Sequence, residues 1–193
     1  MCLFSIYVQS LLWEEKQIQR IRSLGKHRDS TMKIDLGCGR RKADGYYGID
    51  CQMLSGVDLV CDCNRVIPLP DNVACEVRAF DFLEHVRNDK RIHIMGEIWR
   101  ILKPGGLFQS MTPSTDGRGA FQDPTHYSFW NQNSFWYFTD DAHRALYDIK
   151  PKFSIDQLYT TPIDSLGICY VMATLRCVKP DVMEQTIQHY QQA

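Results

Sequence analysis

The chain has 193 residues, enough for one packed domain, of which 44% are hydrophobic and 23% charged. That composition excludes disordered, collagenous and low-complexity classes. With 22 Lys and Arg against 23 Asp and Glu the net charge is −1. No basic excess is left to neutralise phosphates, so nucleic acid is not expected as a partner.

The apolar start Met1–Trp13 is too short to cross a bilayer and lacks the basic lead of a signal peptide. Residues 9–24 fit a helix with Leu11, Ile18, Ile21 and Leu24 on one side, stopped at Gly25. Residues 1–31 are therefore read as an N-terminal helical extension. Met32 stands at the start of the first strong strand, which suits an extension placed upstream of a shorter natural protein.

From residue 31 onward short apolar runs alternate with turns. Strands are predicted over Thr31–Leu36, Tyr46–Asp50, Val57–Cys61 and Val73–Phe80. Asn88 is predicted to cap a helix carrying Ile92, Met95, Trp99 and Leu102 at helical spacing. Lys103-Pro104-Gly105-Gly106 stops it, and Leu107–Thr112 follows as a fifth strand. Strands joined by crossovers mean a mainly parallel sheet in a single α/β domain.

After Pro113 the character changes. Eight aromatics fall between Phe121 and Phe138, within an insertion spanning residues 113–150. Phe121, Tyr127, Phe129, Trp130, Phe135, Trp136, Tyr137 and Phe138 cannot all face solvent without a large apolar patch. They are expected to pack as a flap or to wall a substrate pocket; left unpacked, they would favour a homodimer. Two more strands are predicted over Phe153–Thr160 and Val171–Val178, and residues 181–193 form a C-terminal tail.

Eight cysteines stand at 2, 38, 51, 61, 63, 75, 169 and 177. None forms a C-x-x-C pair, so neither a zinc finger nor any other metal site is expected. Reduced thiols of a cytoplasmic protein are the simpler reading.

Chemistry concentrates where the first strands end. Gly37-Cys38-Gly39 lets backbone approach a ligand at the edge where open parallel sheets bind them. A dinucleotide fingerprint needs a further glycine where Lys42 stands, which weighs against a nicotinamide-dependent oxidoreductase. Asp50, closing the second strand, suits a ribose diol, and Asp62, after the third, suits an exocyclic adenine amine. Together these three features describe a nucleoside pocket.

Four segments resemble the class I S-adenosylmethionine-dependent methyltransferases: Lys33-Ile34-Asp35-Leu36-Gly37-Cys38-Gly39, Gly48-Ile49-Asp50, Phe80-Asp81-Phe82-Leu83-Glu84-His85-Val86, and Glu97-Ile98-Trp99-Arg100-Ile101-Leu102-Lys103-Pro104-Gly105-Gly106. The resemblance is strong over residues 32–112. It implies a methyltransferase domain over residues 32–180, a Rossmann-like three-layer sandwich whose mostly parallel seven-stranded sheet ends in an antiparallel hairpin, with S-adenosylmethionine as cofactor. It further implies that Asp35, Gly37, Cys38 and Gly39 shape the turn under the methionine part, and that Asp50 holds the ribose with Cys51 beside the adenine. On the same basis Asp62 and Cys63 read the adenine edge, and Phe80, Asp81 and Phe82 line the sulfonium side.

One departure stands out. Residues 40–46 are too few for the helix that family members usually place there, so a turn or loop is expected, as in small bacterial or phage members. Arg40, Arg41 or Lys42 then either pairs with the cofactor carboxylate in place of the lost helix N-terminus or is solvated surface charge.

Methyl transfer from a sulfonium needs a positioned nucleophile, and a base only where the acceptor must lose a proton. His85 and His126 are the candidates, with Asp123 placed to orient His126. Asp123-Pro124-Thr125-His126 also resembles a substrate-side loop of some bacterial and phage members. The acceptor is expected to be a small molecule or saccharide. A protein that binds the cofactor or a nucleoside without catalysis is the alternative.

Overall fold

The computed structural model describes residues 31–180. The predicted extension over residues 1–31, apart from its last residue, and the tail at 181–193 lie outside the described residues. Seven strands form one sheet: β1 (Met32–Leu36), β2 (Tyr47–Asp50), β3 (Leu59–Val60), β4 (Ala74–Phe80), β5 (Leu102–Pro113), β6 (Lys152–Thr160) and β7 (Tyr170–Val178). Their order is β3-β2-β1-β4-β5-β7-β6. The first five pair in parallel, and β7 enters antiparallel between β5 and β6. The chain order reverses between β1 and β4, the crevice where parallel sheets place ligands.

Strand sequence explains strand position. Ile34 and Leu36 of β1, Ile49 of β2, Val77 and Ala79 of β4 and Phe108 of β5 have no exposed surface. Each large apolar side chain buried this way contributes about 1.5–3 kcal/mol. Glu76 and Arg78, which interrupt the apolar run of β4, lie on the opposite face from Val77 and Ala79 and are only half-buried.

Several boundaries differ from the sequence expectation: β3 shrinks from the predicted Val57–Cys61 to Leu59–Val60, and two others change the local geometry. Asn88 does not cap α1 (Arg91–Ile101); it opens a 3-10 turn, Asn88–Lys90, and neither N-cap position carries a side-chain hydrogen bond. The Lys103–Gly106 stretch ends the helix as expected but belongs to β5 as a bulge. Ala74 pairs with Leu102 and Glu76 already with Leu107, so five residues of β5 advance against two of β4.

Residues 40–46 hold no helix, as expected, and among the described residues the connections β2–β3 and β3–β4 hold none either. Apolar cover in the last of these comes from Cys63, Ile67 and Leu69, which join the core directly. Beyond β5, α2 (Gly119–Gln122), α3 (Gln132–Thr139) and α4 (Asp141–Ala145) carry the aromatic insertion. Asn131 and Ser134 form a reciprocal capping box at the start of α3.

Candidate functional site

The glycine turn follows β1. Gly37 has φ +65°, and a Cβ there would lie 2.5 Å from Cδ2 of Phe82, so both backbone sign and space require glycine. The amides of Gly37 and Cys38 both donate to the carbonyl of Ile49, at 2.8 and 3.2 Å. Gly39, at φ +53°, has open space where its Cβ would point. Its amide donates to Asp50 Oδ2 at 2.9 Å, joining the ends of β1 and β2.

Asp35 is 3% exposed and holds the shortened connection in place: Oδ2 accepts the Ala43 amide at 2.9 Å, and Arg78 stands 3.7 Å from Oδ1. Burial pushes its carboxyl above the usual carboxylate range, opposed by the Ala43 amide and by Arg78 and Lys42. Cys38 packs behind the turn, and burial, helped by Asp35 and Asp50, pushes its thiol up to about 11. Of the three cations in the loop, Lys42 is engaged with Asp58 at 2.7 Å, while Arg40 and Arg41 are exposed.

Asp50 is half-buried and also accepts the Gln52 amide at 2.9 Å, leaving carboxylate lone pairs for a further donor. Cys51 beside it is exposed. Asp62 is exposed and folds into a turn with Asn64, whose side chain and backbone amides hold its carboxyl below the usual range. Cys63 is buried and its thiol is raised by Cys61 and by burial. β3 stops at Val60, so Cys61 and Cys63 lie in the following turn.

A second group forms where β4 ends. Phe80 lies under the Arg78 guanidinium, 4.1 Å from ring centre to Cζ. Asp81 adopts φ +48°, an uncommon conformation for a residue other than glycine, and starts the sharp exit from the strand. Phe82 packs on the core edge beneath Gly37. The 3-10 turn Leu83–His85 then sets Glu84 inward and His85 outward.

Asp81, Glu84, His85, Pro113, His126 and Tyr170 help to line a cavity of about 240 Å³. Glu84 is 2% exposed, accepts the Thr112 hydroxyl, and is pushed above the usual carboxylate range by burial, which that hydroxyl opposes. Asp81 keeps exposed surface, and partial desolvation at the cavity wall raises its carboxyl against the pull of His85, His126 and Arg78.

The two candidate bases are brought together. Their rings meet edge-on at 5.1 Å between centroids. His85 Nδ1 lies 3.1 Å from the Thr125 carbonyl, and His126 Nδ1 lies 3.0 Å from the Ala120 carbonyl. Each carbonyl accepts only, so each Nδ1 carries the proton in the neutral ring and Nε2 keeps a free lone pair. The carbonyl of Ala120, not Asp123, orients His126: Asp123 binds the Thr125 amide and hydroxyl at 2.8 and 2.7 Å and stays 4.0 Å from His126 Nε2.

The aromatic insertion is pinned to this turn. The Tyr127 and Ser128 amides donate to the Glu84 carbonyl at 2.8 and 3.0 Å, and Ser128 Oγ donates to the Leu83 carbonyl. Trp130, Phe135 and Phe138 are buried, whereas Phe121, Tyr127, Phe129 and Trp136 remain exposed. The insertion reaches the cavity through Gln122, Asp123 and His126 rather than through its rings. Sequence places Leu83-Glu84-His85 where the cofactor and substrate sites meet and Thr112-Pro113-Ser114 beside the same space, but it does not foresee that the Thr112 hydroxyl donates to Glu84.

The strand order and the reversed seventh strand make a Rossmann-like fold shared with solved S-adenosylmethionine-dependent methyltransferases. Solved structures sharing it include a Burkholderia thailandensis 1,6-didemethyltoxoflavin-N1-methyltransferase with bound 1,6-didemethyltoxoflavin and S-adenosylhomocysteine. It is 16% identical, with TM-score 0.55, covering 91% of this chain and 87% of that one. A Methanosarcina mazei S-adenosylmethionine-dependent methyltransferase is also 16% identical, with TM-score 0.55 and coverage of 77% and 93%. The [4+2]-cyclase SpnF is 18% identical, with TM-score 0.55 and coverage of 78% and 76%. Such identities establish the fold alone. No protein-family model and no curated protein sequence matches the chain. Among the described residues, no helix is long and apolar enough to cross a membrane.

Proposed function

We propose that the chain transfers the methyl group of S-adenosylmethionine to a small-molecule or saccharide acceptor bound in the cavity beside Glu84, His85 and His126. The observation that carries this reading is the Gly39 amide held on Asp50, which fixes an open glycine turn and a strand-end carboxylate as one unit. Asp35, Gly37, Cys38 and Gly39 build the turn for the methionine part. Asp50 takes the ribose hydroxyls, and Cys51, Asp62 and Cys63 border the adenine. Phe80, Asp81 and Phe82 stand between that site and the cavity.

The cofactor supplies the activated methyl group, and the protein aligns an acceptor atom in line with its sulfur and excludes water. His85 and His126 offer Nε2 to an acceptor hydroxyl or amine. A cavity of about 240 Å³ suits one small ring rather than a polymer. The Burkholderia neighbour carries a small heterocycle and S-adenosylhomocysteine, which supports this acceptor class. The free cysteines among the described residues suit a reducing cytoplasm.

SpnF, a cyclase with this fold, favours a second reading, in which the cofactor or a related nucleoside is bound without methyl transfer. Incubating the protein with S-adenosylmethionine and a panel of small hydroxylated and aminated compounds separates the two. A mass gain of one methyl with release of S-adenosylhomocysteine is expected. Cofactor binding without release for any acceptor would favour the second reading.

A further inference from the structure

Glu84, His85 and His126 each present one donor atom, and these three atoms lie within 4.8 Å of one another. We propose that they hold a single divalent first-row transition-metal ion at the mouth of the acceptor cavity.

Each donor has the support that metal ligands receive. Ligating histidines characteristically donate their other ring N–H to a carbonyl or carboxylate, which fixes tautomer and ring direction. His85 has the Thr125 carbonyl at 3.1 Å for this, and His126 has the Ala120 carbonyl at 3.0 Å. Both rings thereby free Nε2. Glu84 is oriented by the Thr112 hydroxyl and is buried except where it meets the cavity. Among the hydrogen bonds and ion pairs of the described residues, no Lys or Arg side chain pairs with the Glu84 carboxylate, so a cation would meet a charge that the fold has desolvated without an ion-pair partner.

The donor set selects the ion. Two imidazoles and one carboxylate suit manganese through zinc in the first row, whereas magnesium and calcium prefer oxygen ligands alone. Three protein ligands leave at least one position open, which marks a catalytic rather than a structural site. Asp81 lines the same cavity, and Asp123 Oδ2 stands 4.0 Å from His126 Nε2. With the cavity beside the three donors, an open position would be available to an oxygen of the acceptor. The role of the metal deepens the methyl-transfer reading and rests on it; the ion site itself does not.

The test uses the full chain, stripped of metal by a chelator and dialysed, and titrated with Mn2+ and Co2+ alone. One equivalent of each is expected to bind at micromolar concentration, with Mg2+ at least tenfold weaker. The Co2+ complex should show ligand-field bands of nitrogen and oxygen coordination without thiolate charge-transfer absorption, which excludes the cysteines. His85→Ala, at an exposed position, and Glu84→Gln should each weaken Mn2+ at least tenfold while leaving the circular dichroism spectrum unchanged. No binding by the wild-type chain, or unchanged binding by both variants, overturns the proposal. A parallel titration with S-adenosylhomocysteine separates the two readings: metal binding without it leaves the ion site standing and removes the methyl-transfer role.

Discussion

Two buried glutamates of this protein meet opposite fates. Glu97, on α1, accepts the Ile67 amide at 2.7 Å and two guanidinium N–H groups of Arg100 at 2.8 Å. Arg100 also donates to the carbonyls of Ile67 and Leu69 and to Asp71. Burial opposes the ionised form of Glu97, but these donors outweigh it and its carboxyl falls below the usual range. Glu84 receives one hydroxyl, and burial wins, so its carboxyl rises. The first cluster clamps the long β3–β4 connection to α1. The second is left electrostatically incomplete at the rim of a cavity, where strained and unpaired groups mark function.

Breaking the complete cluster should have the largest effect. Glu97→Ala leaves the Ile67 amide without its acceptor and takes two acceptors from Arg100, and stability should fall by about 3 kcal/mol, read from the shift in denaturant midpoint. An unchanged midpoint would remove the structural half of the contrast. Next comes the glycine turn, which neither glutamate touches: Gly37→Ala meets both a positive φ and the Phe82 ring. It should cost about 2 kcal/mol and at least tenfold in cofactor affinity.

Glu84→Gln should do the reverse of Glu97→Ala, raising stability at pH 7 by about 1 kcal/mol while lowering the proposed methyl transfer, because an uncompensated buried charge is removed. The signs with pH follow. Glu97, with a depressed folded pKa, stabilises above its unfolded value of about 4.3 and loses that contribution as pH falls through the folded value. Glu84, with a raised folded pKa, contributes most below about 4.3 and loses that contribution as pH rises through the folded value. Denaturant midpoints between pH 3 and 7 should therefore show Glu97→Gln flattening the acid limb and Glu84→Gln flattening the limb above it. The smallest effect belongs to the exposed ring pair: Phe121→Ser, opposite Phe129 at 5.1 Å between centroids, should move stability by no more than about 0.5 kcal/mol.

The sheet was legible because its signals are local. Apolar runs ending at Gly37, Asp50 and Phe80 state where parallel strands stop, and parallel strands put ligands at that edge. The missing first helix could be read from the few residues between Gly39 and Tyr47. Contacts between distant residues were not legible. Nothing in the sequence says that the Ala120 carbonyl, rather than Asp123, turns His126, because backbone acceptors leave no residue signature. Nor does spacing bring Glu84 to Thr112, which meet because β5 pairs beside β4, or His85 to Thr125, which meet because the insertion folds back over the β4 turn through the Tyr127 and Ser128 amides. Asn88 failed as a cap because the chain makes a 3-10 turn first, and both geometries use similar residues.

The glycine turn and Asp50 are proposed to grip the cofactor as one unit. Calorimetric titration of the full chain with S-adenosylhomocysteine, beside Asp50→Ala, measures that grip. One molecule per chain is expected to bind the wild type, with affinity falling at least tenfold in Asp50→Ala while the folded spectrum is kept. No heat of binding in the wild type, or equal affinity in the variant, would rule out this grip.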